Sequence, residues 1–159
     1  MLMQPEANRY RILIVDDDPS MLELLDTRLS LAGYRTIQAR DGYDGLNKLR
    51  DTSPHAMLLD INMPRLDGFE VLRAMRKQGF LPRVPVMVLT ARNQPADVQE
   101  AVKLGASDFL TKPFDDQRLL ARVARLVRSV PGRSGGGGAA PGAVNAPASG
   151  VAGPDPMML

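Results

Sequence analysis

Short apolar runs alternate with amphipathic segments five times between residues 10 and 128. The runs are dominated by Val, Ile, Leu and Met, as in Ile12–Val15 and Ala56–Leu59. Continuous apolar runs of this length are typical of parallel strands that are covered on both faces. The segments between them repeat apolar residues every three or four positions, which predicts helices packed against a sheet. The chain is therefore expected to form an α/β domain.

Each predicted element has definable limits. The predicted strands cover residues 12–15, 34–39, 56–59, 84–89 and 108–111. The predicted helices cover about 19–32, 42–50, 68–78, 95–104 and 115–128. Right-handed crossovers between five such units give a doubly wound parallel sheet. Its size fits a flavodoxin-like (βα)5 arrangement with the strand order 2-1-3-4-5, which binds ligands beyond the carboxyl ends of its strands.

Composition divides the chain into three regions. A short N-terminal extension covers residues 1–9, and the predicted domain covers residues 10–128. The remaining residues, 129–159, are dominated by Gly, Ala and Pro and are expected to form a flexible tail. The whole chain has 20 basic and 18 acidic residues, which is weak support for nucleic-acid binding, and it has no cysteine. We find no signal peptide or membrane span in the sequence and expect a cytoplasmic protein.

Polar residues follow four of the predicted strands. Asp16, Asp17 and Asp18 come directly after the first strand, and Asp60 follows the third. Thr90 and Lys112 follow the fourth and fifth strands, so these side chains should meet at one edge of the sheet. Adjacent carboxylates repel one another and resist burial, so two interpretations are open. The acids either cap a helix, as Asp18 before Pro19 would, or bind a cation.

The residue types at this edge favour the cation. A carboxylate cluster without His or Cys is a hard-oxygen site that suits Mg²⁺. A carboxylate such as Asp60 can act as a nucleophile on a phosphoryl group. Lys112 would supply a positive charge to a phosphoryl oxygen, and Thr90 would donate a hydroxyl hydrogen bond. Ala91 is small enough to let the phosphoryl group approach.

Four motifs carry a resemblance to a known family. In chain order they are IVDDDPS, LLDINMPRLDGFEVL, VMVLTA and GASDFLTKPF. Together they resemble the receiver domain of two-component response regulators over about residues 10–128. The resemblance implies that Asp60 is the phosphoacceptor. It also implies a Mg²⁺ site made by Asp16, Asp17, Asp60 and the backbone carbonyl of Asn62.

The same resemblance implies how the site works. Thr90, Ala91 and Lys112 would contact the phosphoryl group, and the Lys112–Pro113 peptide bond would be cis. Thr90 and Phe109 would form the switch, with the Phe109 ring moving inward. Gly68 would permit the turn into the third helix. Asn62 and Arg92 lie beside the site and would tune the lifetime of the phosphorylated form, although Arg92 would either pair with the phosphate or lie in solvent.

The resemblance also implies partners. A sensor histidine kinase or a histidine phosphotransfer protein would supply the phosphoryl group. A downstream protein of unknown identity would bind the face made by the fourth helix, the fifth strand and the fifth helix. Phosphorylation would also be able to produce a dimer of the chain. The chain would then act as a switch with self-catalysed phosphoryl transfer and dephosphorylation, and not as a metabolic enzyme.

Two other functions fit parts of the sequence. The chain would be the receiver part of a DNA-binding transcriptional regulator if the Gly/Pro-rich segment were a linker, although no helix-turn-helix pattern follows it. An aspartyl-phosphate phosphatase would use a second acid two residues after Asp60, where this chain has Asn62. The only histidine, His55, is expected to be structural because it lies at the opposite edge of the sheet. The arginines of the fifth helix, residues 118, 122, 125 and 128, predict a basic outer face. This face is expected to be solvated, to dock an acidic partner or form a dimer contact, or, least of all, to bind nucleic acid.

Overall fold

Five strands and five helices alternate along the part of the chain that the computed structural model describes, residues 9–129. The strands are β1 (Arg11–Val15), β2 (Arg35–Ala39), β3 (Ala56–Leu59), β4 (Val86–Thr90) and β5 (Asp108–Thr111). The helices are α1 (Pro19–Leu31), α2 (Gly42–Thr52), α3 (Gly68–Lys77), α4 (Pro95–Lys103) and α5 (Asp116–Arg128). No helix within this range is long and apolar enough to cross a membrane.

All five strands are parallel and form one sheet with the order β2-β1-β3-β4-β5. The predicted fold class and strand order are therefore confirmed. β1 lies between β2 and β3, so the chain reverses its direction of winding at β1, and the crevice beyond the ends of β1 and β3 is where such sheets bind ligands.

The two faces of the sheet bury different residues of the same strands. In β1, Leu13 and Val15 pack in the cluster that contains α2, α3 and α4 residues, whereas Ile12 and Ile14 pack in the cluster with α1 and α5. This alternation follows from the two-residue period of a strand. Because both faces are covered, the residues of β1, β3 and β4 are nearly all buried, whereas the edge strands β2 and β5 have one buried residue each.

Two element limits differ from the prediction. β4 begins at Val86 and not at residue 84, because the Val84 N–H donates to the Phe80 carbonyl oxygen at 2.9 Å and so belongs to the preceding turn. α2 continues to Thr52, two residues beyond the predicted end, and the Thr52 hydroxyl donates to the Lys48 carbonyl oxygen at 2.7 Å. The other limits agree with the structure to within one residue.

Aspartates cap four of the five helices. Asp18 caps α1, as one of the two interpretations of the acids proposed, because its Oδ1 accepts the Ser20 N–H at 2.9 Å. The caps of α2, α3 and α5 each accept the N–H three residues later, and they are Asp41, Asp67 and Asp115. Only the third acid after β1 is therefore used as a cap, and Asp16 and Asp17 need another explanation.

The basic face of α5 is partly paired. Arg122 Nη1 lies 2.6 Å from Asp108 Oδ1, and Arg125 Nη2 lies 3.9 Å from Asp108 Oδ2. Arg122 therefore ties α5 to the start of β5 and is not a freely solvated side chain. His55 is structural, as expected, because its Nδ1 accepts the Arg11 N–H at 2.9 Å.

The predicted N-terminal extension and the predicted flexible tail lie outside the described residues, except for Arg9 and Ser129. Both remain predictions, as does the boundary of the domain.

Gly68 is required by close packing and not by its backbone angles. A Cβ at this position would lie 2.5 Å from the Asp60 carbonyl oxygen and 2.8 Å from the Ile61 Cα. The start of α3 therefore rests directly on the backbone that follows β3. This contact places the first turn of α3 beside Asp60.

We predict that Gly68→Ala lowers the free energy of unfolding by about 2 kcal/mol, because the new methyl group meets backbone atoms that have no room to move. Gly45→Ala is the matched control, since its Cβ would meet only the Val15 side chain, at 3.0 Å. Urea unfolding of both variants measures the difference. Equal losses in the two variants would contradict the packing explanation.

Candidate functional site

Three carboxylates meet at the carboxyl ends of β1 and β3. One oxygen each from Asp16, Asp17 and Asp60 lies within 4.8 Å of the others. Asp16 and Asp60 are buried, with exposed fractions of 2% and 7%, whereas Asp17 is exposed. Neighbouring parallel strands β1 and β3 bring them together, because the Asp60 N–H donates to the Val15 carbonyl oxygen at 3.0 Å. Within residues 9–129 no other group of three acidic, His or Cys residues meets the same distance limit.

Lys112 supplies a positive charge to this cluster from β5. Its Nζ lies 2.7 Å from Asp16 Oδ2 and 3.7 Å from Asp60 Oδ2. The Lys112 N–H donates to the Thr90 carbonyl oxygen at 2.9 Å, which anchors its backbone to β4. The Lys112–Pro113 peptide bond is cis in the structure. The residues after β1, β3 and β5 therefore form one electrostatic cluster.

Burial and hydrogen bonding oppose each other at Asp16. Desolvation raises the pKa of the Asp16 carboxyl above its usual range, and the bonds from Lys112 and from the Asp18 N–H act against that rise. The low-dielectric interior disfavours the charged form of a buried carboxyl, whereas hydrogen bonds to the carboxylate favour it. A cation in the cluster would favour the charged form further.

Thr90 and Ala91 lie at the end of β4, beside the cluster. Thr90 is fully buried, and its Oγ1 accepts the Arg92 N–H at 3.3 Å. Ala91 is exposed and offers no side chain beyond its methyl group. Phe109 is half-buried and is paired with Val88 across the β4–β5 ladder. Its ring packs against the core on the α2–α4 side of the sheet.

Arg92 contacts an acidic and an amide side chain, and its predicted pairing with a phosphoryl group stays a prediction. Its Nη2 and Nε lie 2.6 Å and 3.1 Å from Asp97 Oδ1, and its Nη1 donates to Asn62 Oδ1 at 3.1 Å. The guanidinium carbon also lies 5.4 Å from the centre of the Phe69 ring. Arg92 is therefore bound to α4 and to the β3–α3 loop, although its side chain remains 41% exposed.

The Asp97 partner was absent from the sequence prediction. Asp97 is in the first turn of α4, where an acid is routinely explained by the helix dipole, so its sequence position does not point to Arg92. The hydrogen bond from Arg92 holds the pKa of Asp97 below its usual range. Asn62, whose backbone carbonyl was predicted to bind the metal, is exposed. Its side-chain Oδ1 accepts the hydrogen bond from Arg92.

The donor set fits Mg²⁺. It consists of carboxylate oxygens without nitrogen or sulfur ligands, which is the chemistry that Mg²⁺ prefers. An octahedral ion with bonds of about 2.1 Å holds its ligand oxygens about 3 to 4 Å apart, so these carboxylates would need to close only slightly around it. The open side of the cluster, at Asp17, would leave room for water ligands.

A model of the response regulator receiver domain family matches residues 12–124 of the chain. Among curated relatives, the DNA-binding dual master transcriptional regulator RpaA of Synechocystis is 42% identical over 118 residues, covering 74% of this chain and 49% of the relative. The chain spans about half the length of the curated relatives that it matches.

Solved structures share the fold along most of their own length. The chemotaxis protein CheY4 of Vibrio cholerae is 33% identical with a TM-score of 0.70, covering 74% of this chain and 98% of that protein. The receiver domain of a signal transduction histidine kinase from Syntrophus aciditrophicus is 36% identical with a TM-score of 0.71, covering 79% of this chain and 95% of that domain.

We predict that Lys112→Met lowers the free energy of unfolding at pH 7 by about 2 kcal/mol in the presence of a chelator, because Asp16 is left buried without its cationic partner. Lys48→Met is the control, since Lys48 forms a more exposed pair with Asp44 at 3.4 Å. Urea unfolding measures both variants. An unchanged stability in Lys112→Met would show that Asp16 does not depend on the ammonium group.

Proposed function

We propose that this chain, which belongs to the response regulator receiver domain family, is a switch controlled by phosphorylation of Asp60. The observation that carries the proposal is the position of Asp60, whose carboxylate lies between two further carboxylates and the Lys112 ammonium group. A nucleophile, a metal-binding set and a fixed cation are then within reach of one phosphoryl group.

Asp16, Asp17 and Asp60 would hold Mg²⁺, together with the backbone carbonyl of Asn62. When bound, the ion would neutralise negative charge on the phosphoryl oxygens and orient them, which is most of what phosphoryl transfer requires. The protein contributes the ligand oxygens, two of which are already buried and held by hydrogen bonds. Asp60 Oδ1 accepts the Ile61 N–H at 2.8 Å, which fixes the direction of its carboxylate.

The phosphoryl group would come from a phosphohistidine on a sensor kinase or a histidine phosphotransfer protein. An Asp60 carboxylate oxygen attacks phosphorus, the new O–P bond forms and the P–N bond breaks, and the electron pair of that bond remains on the imidazole nitrogen. Lys112 Nζ would contact one phosphoryl oxygen, and Thr90 Oγ1 and the backbone at Ala91 would contact others. Water attack on the same phosphorus would later regenerate the Asp60 carboxylate.

Thr90 and Phe109 would convert the chemistry into a change of surface. Thr90 Oγ1 accepts the Arg92 N–H, and its own O–H would donate to the phosphoryl group as the side chain moves toward it. The space that its movement vacates lies along the β4–β5 ladder, where Phe109 is half-buried. An inward move of the ring would alter the face formed by α4, β5 and α5, which we assign as the surface that binds a downstream protein or a second copy of the chain.

The proposed switch differs from enzymes that turn over phosphoesters in the residue two positions after Asp60. A phosphatase that forms an aspartyl phosphate would need a general acid near Asn62, whose amide is instead bound by Arg92. Lacking that acid, the chain would act once per phosphorylation event and would have no small-molecule substrate to release. We place its action in the cytoplasm, where kinase partners have access to ATP.

A second candidate function follows from the relatives. RpaA is named as a DNA-binding regulator, and this chain spans about half of its length. The chain would then be the receiver part of a regulator whose output is transcription. With a formal net charge of only +2, the 159 residues alone are expected to bind DNA weakly. A phosphorylation-dependent mobility shift of promoter fragments by this chain would instead favour direct DNA output.

We predict that acetyl phosphate adds one phosphoryl group to the wild-type chain only when Mg²⁺ is present, and adds none to Asp60→Asn, because the acceptor oxygen is lost. Intact-mass spectrometry measures the product directly. Asp51→Asn, on the exposed side of α2, is the control and should be phosphorylated like the wild type. Incorporation into Asp60→Asn at the wild-type rate would contradict the assignment of the acceptor.

A further inference from the structure

Arg65 adopts a backbone conformation that its side chain does not favour. Its φ angle is +69°, and within residues 9–129 the other non-glycine residue with a positive φ is Ser53, at +48°. Ser53 follows the end of α2, where the left-handed conformation is routine. Arg65 instead lies in the loop between β3 and α3, five residues after Asp60. A long side chain in this region needs contacts that hold it there.

Two residues at the start of α2 provide those contacts. Arg65 Nη2 donates to Asp41 Oδ2 at 2.8 Å, and its guanidinium carbon lies 5.6 Å from the centre of the Tyr43 ring. Asp41, Tyr43 and Arg65 are called the clasp below. The clasp joins the β3–α3 loop to a helix that supplies none of the proposed ligands.

The α2 end of the clasp is fixed. Asp41 caps α2 by accepting the Asp44 N–H at 2.8 Å. This bond and the charge of Arg65 hold the pKa of Asp41 below its usual range, so the carboxylate is charged at neutral pH. The helix start also packs on the loop itself, because a Cβ on Gly42 would lie 2.7 Å from the Leu66 carbonyl oxygen.

The other end of the loop is fixed beside the phosphoacceptor. The Gly68 N–H donates to the Ile61 carbonyl oxygen at 2.8 Å, which closes the loop on itself. Ile61 and Met63 are buried, whereas Asn62 between them is exposed. Arg92 holds the Asn62 side chain. The backbone from Pro64 to Leu66 is held through the side-chain contacts of Arg65 in the clasp. Arg92 and the clasp therefore hold the loop that carries the peptide groups after Asp60 at two separate points.

We propose that the clasp positions the β3–α3 loop so that the Asn62 backbone carbonyl faces the metal, and that it thereby sets the affinity of the site for Mg²⁺. The inference rests on the proposed function, because it concerns the same metal site. Arg65 is a positioning residue, since its side chain binds Asp41 and Tyr43 and acts on the metal only through the backbone. Nothing in the local sequence requires Arg here, and the left-handed conformation by itself would favour Gly or Asn.

The test uses the full 159-residue chain and Mg²⁺ itself, titrated by calorimetry into metal-stripped protein. Arg65→Asn keeps a residue that tolerates the left-handed conformation but removes both contacts of the clasp. Ser53→Asn is the matched control, because it places the same residue at the other positive-φ position, away from the site. Asp41→Asn keeps a good helix cap while removing the charge that binds Arg65.

We expect Arg65→Asn to weaken Mg²⁺ binding by about three- to fivefold, which corresponds to the loss of one good surface ion pair and its stacking contact. Asp41→Asn should weaken it in the same direction, and Ser53→Asn should bind Mg²⁺ like the wild type. The rate of phosphorylation by acetyl phosphate should fall in Arg65→Asn at low Mg²⁺ and return to the wild-type rate at saturating Mg²⁺. A purely structural role would not produce this recovery.

The possible results separate the two proposals. If the wild type neither binds Mg²⁺ nor accepts a phosphoryl group on Asp60, the proposed function fails. If the wild type does both, and Arg65→Asn and Asp41→Asn bind Mg²⁺ as tightly as it does, only the clasp proposal is overturned. Should Arg65→Asn fail to fold, Asp41→Asn and Tyr43→Leu decide the question by the same titration.

Discussion

The ion pair between Lys112 and Asp16 spans the carboxyl edge of the sheet, and the arrangement of the site depends on it. Lys112 follows β5, Asp16 follows β1, and their side-chain atoms lie 2.7 Å apart although β3 and β4 lie between those strands. Without the ammonium group, two buried carboxylates would face each other with little compensation. The pair thus allows carboxylates to be buried at the ends of apolar strands. A bound metal ion would interact with the same negative charges.

The fold follows from local patterns to a large extent. Ile12–Val15 and Ala56–Leu59 are apolar throughout, and the structure covers both faces of these strands. The handedness of the crossovers predicted a doubly wound sheet, and the size of the domain suggested the flavodoxin-like strand order. The start of β4 was wrong because Val84 has the composition of a strand residue, while its N–H is bound by the Phe80 carbonyl oxygen in the preceding turn. Composition does not reveal such a competing hydrogen bond.

The site was predictable in its residue types and less so in its contacts. Asp16, Asp60 and Lys112 each follow a strand and Thr90 ends one, so the topology alone brings them to one edge. The partners of Arg92 and Arg65 depend instead on where long side chains end. Arg65 and Asp41 are 24 positions apart and meet only because α2 begins against the β3–α3 loop. Arg92 illustrates the same limit, since its carboxylate partner Asp97 lies in the first turn of α4, where the helix dipole alone accounts for an acid.

The central claim is that the carboxylate cluster of Asp16, Asp17 and Asp60 holds a divalent cation in the folded chain. Urea unfolding with and without Mg²⁺ tests it most directly, because a ligand that binds only the folded state stabilises it by mass action. At a Mg²⁺ concentration about 100 times the dissociation constant, we predict that the wild type gains about 2.7 kcal/mol and that Asp16→Asn gains little. The same gain in Asp16→Asn and the wild type, or no gain in either, would contradict the account.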